Sequence, residues 1–183
     1  MERRPSLPPL GRRQRGMATL LTVMGLLFVV SMVAAYASRN LVFEQRTSVN
    51  QLRATQAFEA AEAGVEWALG LLNGGRVDAR CAPTDDTAFD GFRDRTLQLG
   101  AGGGFAPREW LDGGVARPVS AACVRTVDGW SCSCPSNGPP ELTPPSGDGG
   151  APAFLVTFEP GAATGQLRIR ATGCSSVDRR CLD

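Results

Sequence analysis

Six cysteines, Cys81, Cys123, Cys132, Cys134, Cys174 and Cys181, carry the most reactive side chains of this 183-residue chain. A thiolate can ligate a metal, attack an electrophile or pair with a second thiol. Cys132-Ser133-Cys134 lacks the two-residue spacing of a zinc site, and the chain has no histidine to complete a mixed ligand set, so no metal is expected. An even number of cysteines, all beyond a long apolar segment, reads instead as disulfide bonds in an exported head. Six cysteines allow fifteen pairings. A two-residue turn at Asp128-Gly129 predicts a hairpin whose register sets Cys123 opposite Cys134. Cys174 and Cys181 can close a local loop, which leaves Cys81 and Cys132.

Other chemistry finds little support. Without histidine the common general base is missing. Lysine is absent too, and there is no G-x-S-x-G elbow or P-loop. Gly100-Ala101-Gly102-Gly103-Gly104 reads as a flexible turn, because no capped helix follows it to cradle a phosphate. Asp85, Asp86, Asp90 and Asp94 offer oxygens but lack EF-hand spacing, so turn chemistry is their expected role. The net charge is +1 and the arginines are dispersed, which gives no footprint for nucleic acid. No catalytic residue and no cofactor is expected.

The elements that would position these groups begin with a leader. Arg3, Arg4, Arg12, Arg13 and Arg15 oppose only Glu2, and Pro5, Pro8 and Pro9 work against a helix there. From Met17 to Ala37 run 21 residues without a charge. About 20 span the hydrocarbon as a helix, and a basic flank is held on the cytoplasmic side. The expected topology is a single pass through a membrane, with a cytoplasmic amino terminus and the head on the far side. A second reading is a secretory signal peptide cut at Ala35-Tyr36-Ala37, although its apolar core would ordinarily be shorter. Arg12-Arg13 adds a weak twin-arginine flavour to that reading.

Residues 38–73 contain no proline and are rich in helix formers. Phe58, Ala61, Val65, Ala68 and Leu72 recur at helical spacing, which predicts one packed face. Asn73-Gly74-Gly75 supplies the stop. One helix over 17–73 would be about 85 Å long. Arg39, Arg46 and Arg53 fall near one line of it, and Glu44, Glu59, Glu62 and Glu66 on a broad stripe roughly opposite. These are solvated flanks or faces for adjacent helices. Beyond Gly75, candidate strands are Arg95–Leu99, Val115–Val127, Trp130–Cys134, Ala153–Glu159 and Gln166–Thr172, with Pro135–Pro152 a mobile loop. The expected class is α+β: a long amino-terminal transmembrane helical spine with a small antiparallel β-sheet head. Its divisions are a leader at 1–16, the helix at 17–73 with the span at 17–37, and a disulfide-bonded head at 74–183.

Arg15-Gly16-Met17, the apolar run, and Gln56-Ala57-Phe58-Glu59-Ala60-Ala61-Glu62-Ala63-Gly64 together resemble PilX-type minor pilins of type IV pili. The resemblance covers roughly residues 12–72. It implies cleavage after Gly16 by a prepilin peptidase, methylation of the new amino terminus at Met17, and assembly with the major pilin and other minor pilins. It also implies passage from the inner membrane into an extracellular pilus. Major pilins carry glutamate at the fifth mature residue, where this chain has Leu21. K-type minor pseudopilins of type II secretion share that lack and are an alternative reading. A further alternative is an exported binding module with an ordinary anchor.

Overall fold

The computed structural model describes residues 15–100, 102–143, 145, 150–163 and 165–177. Residues 1–14 of the expected leader lie outside them. Two compact units divide the chain at Val49/Asn50.

The first unit holds the apolar part of α1, a helix over Arg15–Leu72. From Met17 to Tyr36 its large apolar side chains are all exposed. Among the described residues this helix is the one long and apolar enough to cross a membrane.

The second unit begins inside α1, so the last part of the helix is built into the head. The helix closes with Asn73 Nδ2 donating to the Leu69 carbonyl (2.9 Å) and Gly74 N to that of Leu71 (3.1 Å). A short helix α2 (Phe92–Thr96) follows, then strands β1 (Leu97–Leu99), β2 (Phe105–Pro107), β3 (Glu109–Asp112) and β4 (Val115–Pro118). Four longer strands complete the head: β5 (Ser120–Thr126), β6 (Gly129–Ser133), β7 (Ala153–Pro160) and β8 (Leu167–Cys174). β1–β2 and β3–β4 are separate hairpins, and the main sheet is antiparallel in the order β6-β5-β7-β8. The spine-plus-sheet α+β architecture read from the sequence is the one observed.

Alternation explains how the sheet meets the helix. Phe154, Val156 and Phe158 of β7 are buried, while Leu155 and Thr157 are less so. On β8, Arg168, Arg170 and Thr172 are exposed, and Leu167, Ile169 and Ala171 pack on the core. Aromatic rings fill the centre. The Trp67 ring lies 5.3 Å from Phe92 and 5.5 Å from Phe154, and Trp130 lies 4.8 Å from Phe154. Both faces of β5 are covered, since Ser120 through Val124 are all buried. A groove of about 560 Å³, lined by Trp110, Arg117, Pro139, Pro140, Leu155 and Thr157 among others, borders the face away from the helix.

Several local expectations are corrected. The expected helical stripe holds at Ala68, which is buried, and at Ala61, Val65 and Leu72, which are partly buried, but fails at Phe58, which is 63% exposed; Ala60 and Gly64 are buried instead. Small residues win because the sheet comes up against the helix backbone. A Cβ on Gly173 would overlap the carbonyl oxygen of Ala57. Arg95 and Thr96 belong to α2 rather than to a strand, and the Thr96 hydroxyl donates to the Phe92 carbonyl (2.9 Å) in the buried interior. The long strand expected over Val115–Val127 is two strands. Pro118 has no N–H to continue a ladder, and Val119 N turns instead to the Arg108 carbonyl (2.8 Å). The hairpin strands β2 and β3 went unread because each is only three or four residues long. Described parts of the expected loop at 135–152 are tied down. Glu141 N donates to Ser133 Oγ (3.0 Å), and Arg125 N to the Pro152 carbonyl (2.8 Å).

Candidate processing and assembly site

Gly16 and Met17 occupy the first turn of α1. Open space surrounds the position of a Gly16 Cβ. The Gly16 carbonyl accepts a hydrogen bond from Thr19 Oγ1 at 2.9 Å.

Downstream, the serine and threonine hydroxyls of this segment are satisfied within the helix. Thr22 Oγ1 donates to the Thr19 carbonyl (2.9 Å), Ser31 Oγ to Leu27 (2.7 Å) and Ser38 Oγ to Ala34 (2.8 Å). Such back-bonding removes the cost of an unpaired polar group in hydrocarbon. Leu21 is 67% exposed and presents only apolar surface. A buried carboxylate at this depth would require a cationic partner, and leucine requires none. Gly25, with nothing near its Cβ position, leaves a shallow place where another helix could approach closely.

In the head-bound part of α1, the segment Gln56–Gly64 divides by face. Ala60 and Gly64 are buried, Ala57 and Ala61 are partly buried, and Phe58, Glu59 and Glu62 are exposed. Gly64 is small for a reason: its Cβ would come within 2.9 Å of Phe154 Cδ2. Glu66 continues the exposed acidic line. Among the described residues no ion pair engages Glu59, Glu62 or Glu66, and none engages Glu44, Arg39, Arg46 or Arg53. These charged side chains are exposed, and Glu59 borders a pocket whose other walls include Arg125, Trp130 and Pro152.

The cysteines form two described bridges, Cys81–Cys134 and Cys123–Cys132. Cys174 is also disulfide-bonded, and Cys181 lies outside the described residues. The expected register, with Cys123 opposite Cys134, is overturned: Cys123 pairs with Cys132, and Thr126 with Gly129. The turn residues are Val127 and Asp128, not Asp128 and Gly129. A type I′ turn at Asp128-Gly129 needs positive φ at both residues. Only Gly129 has it (φ 130°), and it sits after the turn, where Thr126 Oγ1 bonds its carbonyl at 3.0 Å. Val127 is left 100% exposed at the tip.

The aspartates serve turns. Asp86 Oδ1 accepts from Ala88 N (2.9 Å), and Asp78 Oδ1 from Arg80 N (2.8 Å) and Ala82 N (2.9 Å). Among the described residues no group of three or more acidic or cysteine side chains is placed to hold a metal ion. The glycine-rich turn closes on itself, with Gly100 N donating to the Gly104 carbonyl at 2.8 Å.

Residues 15–66 match the protein family described as PilX N-terminal. The match takes in Gly16, the apolar run and the whole Gln56–Gly64 segment. No curated protein and no solved structure matches the chain. The similarity to the PilX N-terminal family thus covers nearly all of α1.

Proposed function

We propose that this chain, whose PilX-type spine marks it as a minor pilin related to type IV pili, takes part in starting pilus assembly and sits at or near a filament end. It is a structural subunit rather than an enzyme. The observation that carries the reading is the pairing of a PilX-type spine with Leu21, an apolar side chain at the fifth residue of the proposed mature chain. A spine of this kind can pack among others in the membrane through its apolar and small-residue surface. Without a carboxylate at Leu21 it does not attract the free amino terminus of a neighbouring subunit, so it suits a position that begins a stack.

On this reading a prepilin peptidase cuts after Gly16, and Met17 becomes the methylated amino terminus. The chain waits in the inner membrane with its head in the periplasm, then enters the pilus beside the major pilin and other minor pilins. The disulfides suit a small head that must hold its shape outside the cell.

The deciding experiment deletes the chain and counts filaments per cell while measuring their length. Fewer filaments of ordinary length support a role in initiation. Normal numbers with shortened or fragile shafts would place the subunit within the shaft and reject this proposal.

A further inference from the structure

The β3–β4 hairpin and the main sheet set two polar faces against one groove. Side chains alternate along a strand, so Trp110 and Asp112 share a face of β3. Arg117 of β4 is opposite Trp110 in the register and belongs to the same face. On the sheet, Ser120 of β5 is opposite Thr157 of β7, a pairing that sets Cβ atoms about 5 Å apart. These residues line the groove of about 560 Å³, together with Pro139 and Pro140. Ordinary ligand sites span about 300–1,000 Å³.

The fold leaves the chemistry of these groups unused. Trp67 and Trp130 both pack on Phe154, but no aromatic ring and no cation covers Trp110, and its indole N–H has no acceptor within the protein. Ser120 is buried, yet its hydroxyl makes no hydrogen bond, and neither does that of Thr157. The Ser120 oxygen is not sealed from solvent, so the groove is the side from which a partner can reach it. Asp112 Oδ2 and Arg117 Nε pair with each other at 3.4 Å, and both side chains are about half exposed. One contact uses a fraction of the lone pairs of a carboxylate and of the five N–H groups of a guanidinium. The pair also leaves the groove without net charge.

We propose that this groove binds a neutral oligosaccharide. A pyranose ring has an apolar face of C–H bonds and a rim of hydroxyls that both donate and accept. The C–H face suits the uncovered Trp110 ring, whose π face is negative. Neighbouring hydroxyls on the rim match a carboxylate that accepts beside a guanidinium that donates. Ser120 and Thr157 supply hydroxyls that do either. Other ligand classes fit less well. An anion drawn to Arg117 meets Asp112, and a cation drawn to Asp112 meets Arg117. A wholly apolar ligand would strip water from both charges and both hydroxyls and return no hydrogen bond.

The test uses the full chain in a detergent without a sugar headgroup, titrated calorimetrically with maltotriose, cellotriose and chitotriose. At least one should saturate with a Kd of about 1 mM or tighter, and it should protect tryptophan fluorescence from acrylamide quenching. Trp110→Ala should weaken that binding at least about tenfold, from loss of the stacking surface. Thr157→Val keeps the shape of the side chain and should weaken it about fivefold, the effect of one hydrogen bond. This second variant carries the test should Trp110→Ala not fold. No saturation by about 10 mM of any of the three sugars, or unchanged affinity in Thr157→Val and in a folded Trp110→Ala, would overturn the proposal. Saturation by decaproline and by none of the sugars would assign the groove to an extended proline-rich peptide and overturn it equally.

Discussion

Replacing Gly173 by alanine tests how the sheet is seated on the spine. An ideal Cβ at this position would overlap the Ala57 carbonyl oxygen and lie 2.6 Å from Ala61 N. Both are backbone atoms of α1, so no side-chain rotation can clear the space. Overpacking typically costs ~1–3 kcal/mol, and immovable neighbours put Gly173→Ala at ~3 kcal/mol or above. Two other glycines calibrate the effect. At Gly64 the Cβ would press on the Phe154 ring at 2.9 Å. That penalty is partly offset by a gain of up to ~1 kcal/mol in helix propensity, for a net loss of ~1 kcal/mol. At Gly70 nothing lies within 4 Å, so alanine should stabilise by up to ~1 kcal/mol. Trp67 and Trp130 both lie against Phe154, so tryptophan fluorescence follows the core directly. In urea, with a slope of ~2 kcal/mol per molar, the midpoints should fall by ~1.5 M for Gly173→Ala and by ~0.5 M for Gly64→Ala, and rise by up to ~0.5 M for Gly70→Ala. The order of the three is the test. A Gly173→Ala midpoint within ~0.3 M of the natural protein, or a loss at Gly70→Ala as large as at Gly173→Ala, would refute the close seating of β8 on the helix.

Gly16→Leu should block maturation while leaving membrane insertion intact, seen as retention of the longer form on gels; normal trimming of the mutant would remove the prepilin reading. Non-reducing mass mapping of the exported protein should find no alkylatable thiol. Breaking Cys81–Cys134 should cost more than breaking Cys123–Cys132, about 4 against about 2.6 kcal/mol from the loop lengths, and equal losses on urea unfolding of the two serine variants would contradict that ranking. Proteomics of sheared filaments should find this subunit far below the major pilin; a near-equal ratio, or uniform labelling along the shaft, would falsify the end position, and Leu21→Glu should raise its share.

Local physics alone determined the spine. Twenty-one uncharged residues followed by a proline-free, helix-forming stretch leave a chain few options but helix, and the Asn73-Gly74 stop marks its end to within a residue. The alternation in β7 and β8 was equally plain, because one face of each strand must be apolar wherever it meets the core. Nearest-neighbour rules misled where an outcome depended on a remote partner. Phe58 looked like a core residue by spacing, but Gly64, Ala60 and Ala68 allow a closer approach of the sheet and leave the phenylalanine outside. Asp128-Gly129 looked like the turn, yet the observed register is the one that joins Cys134 to Cys81, 53 residues earlier. Period and composition are written within a few residues of chain. Which register or face is used is settled by contacts between segments far apart in sequence, and those exist only once the tertiary structure has formed.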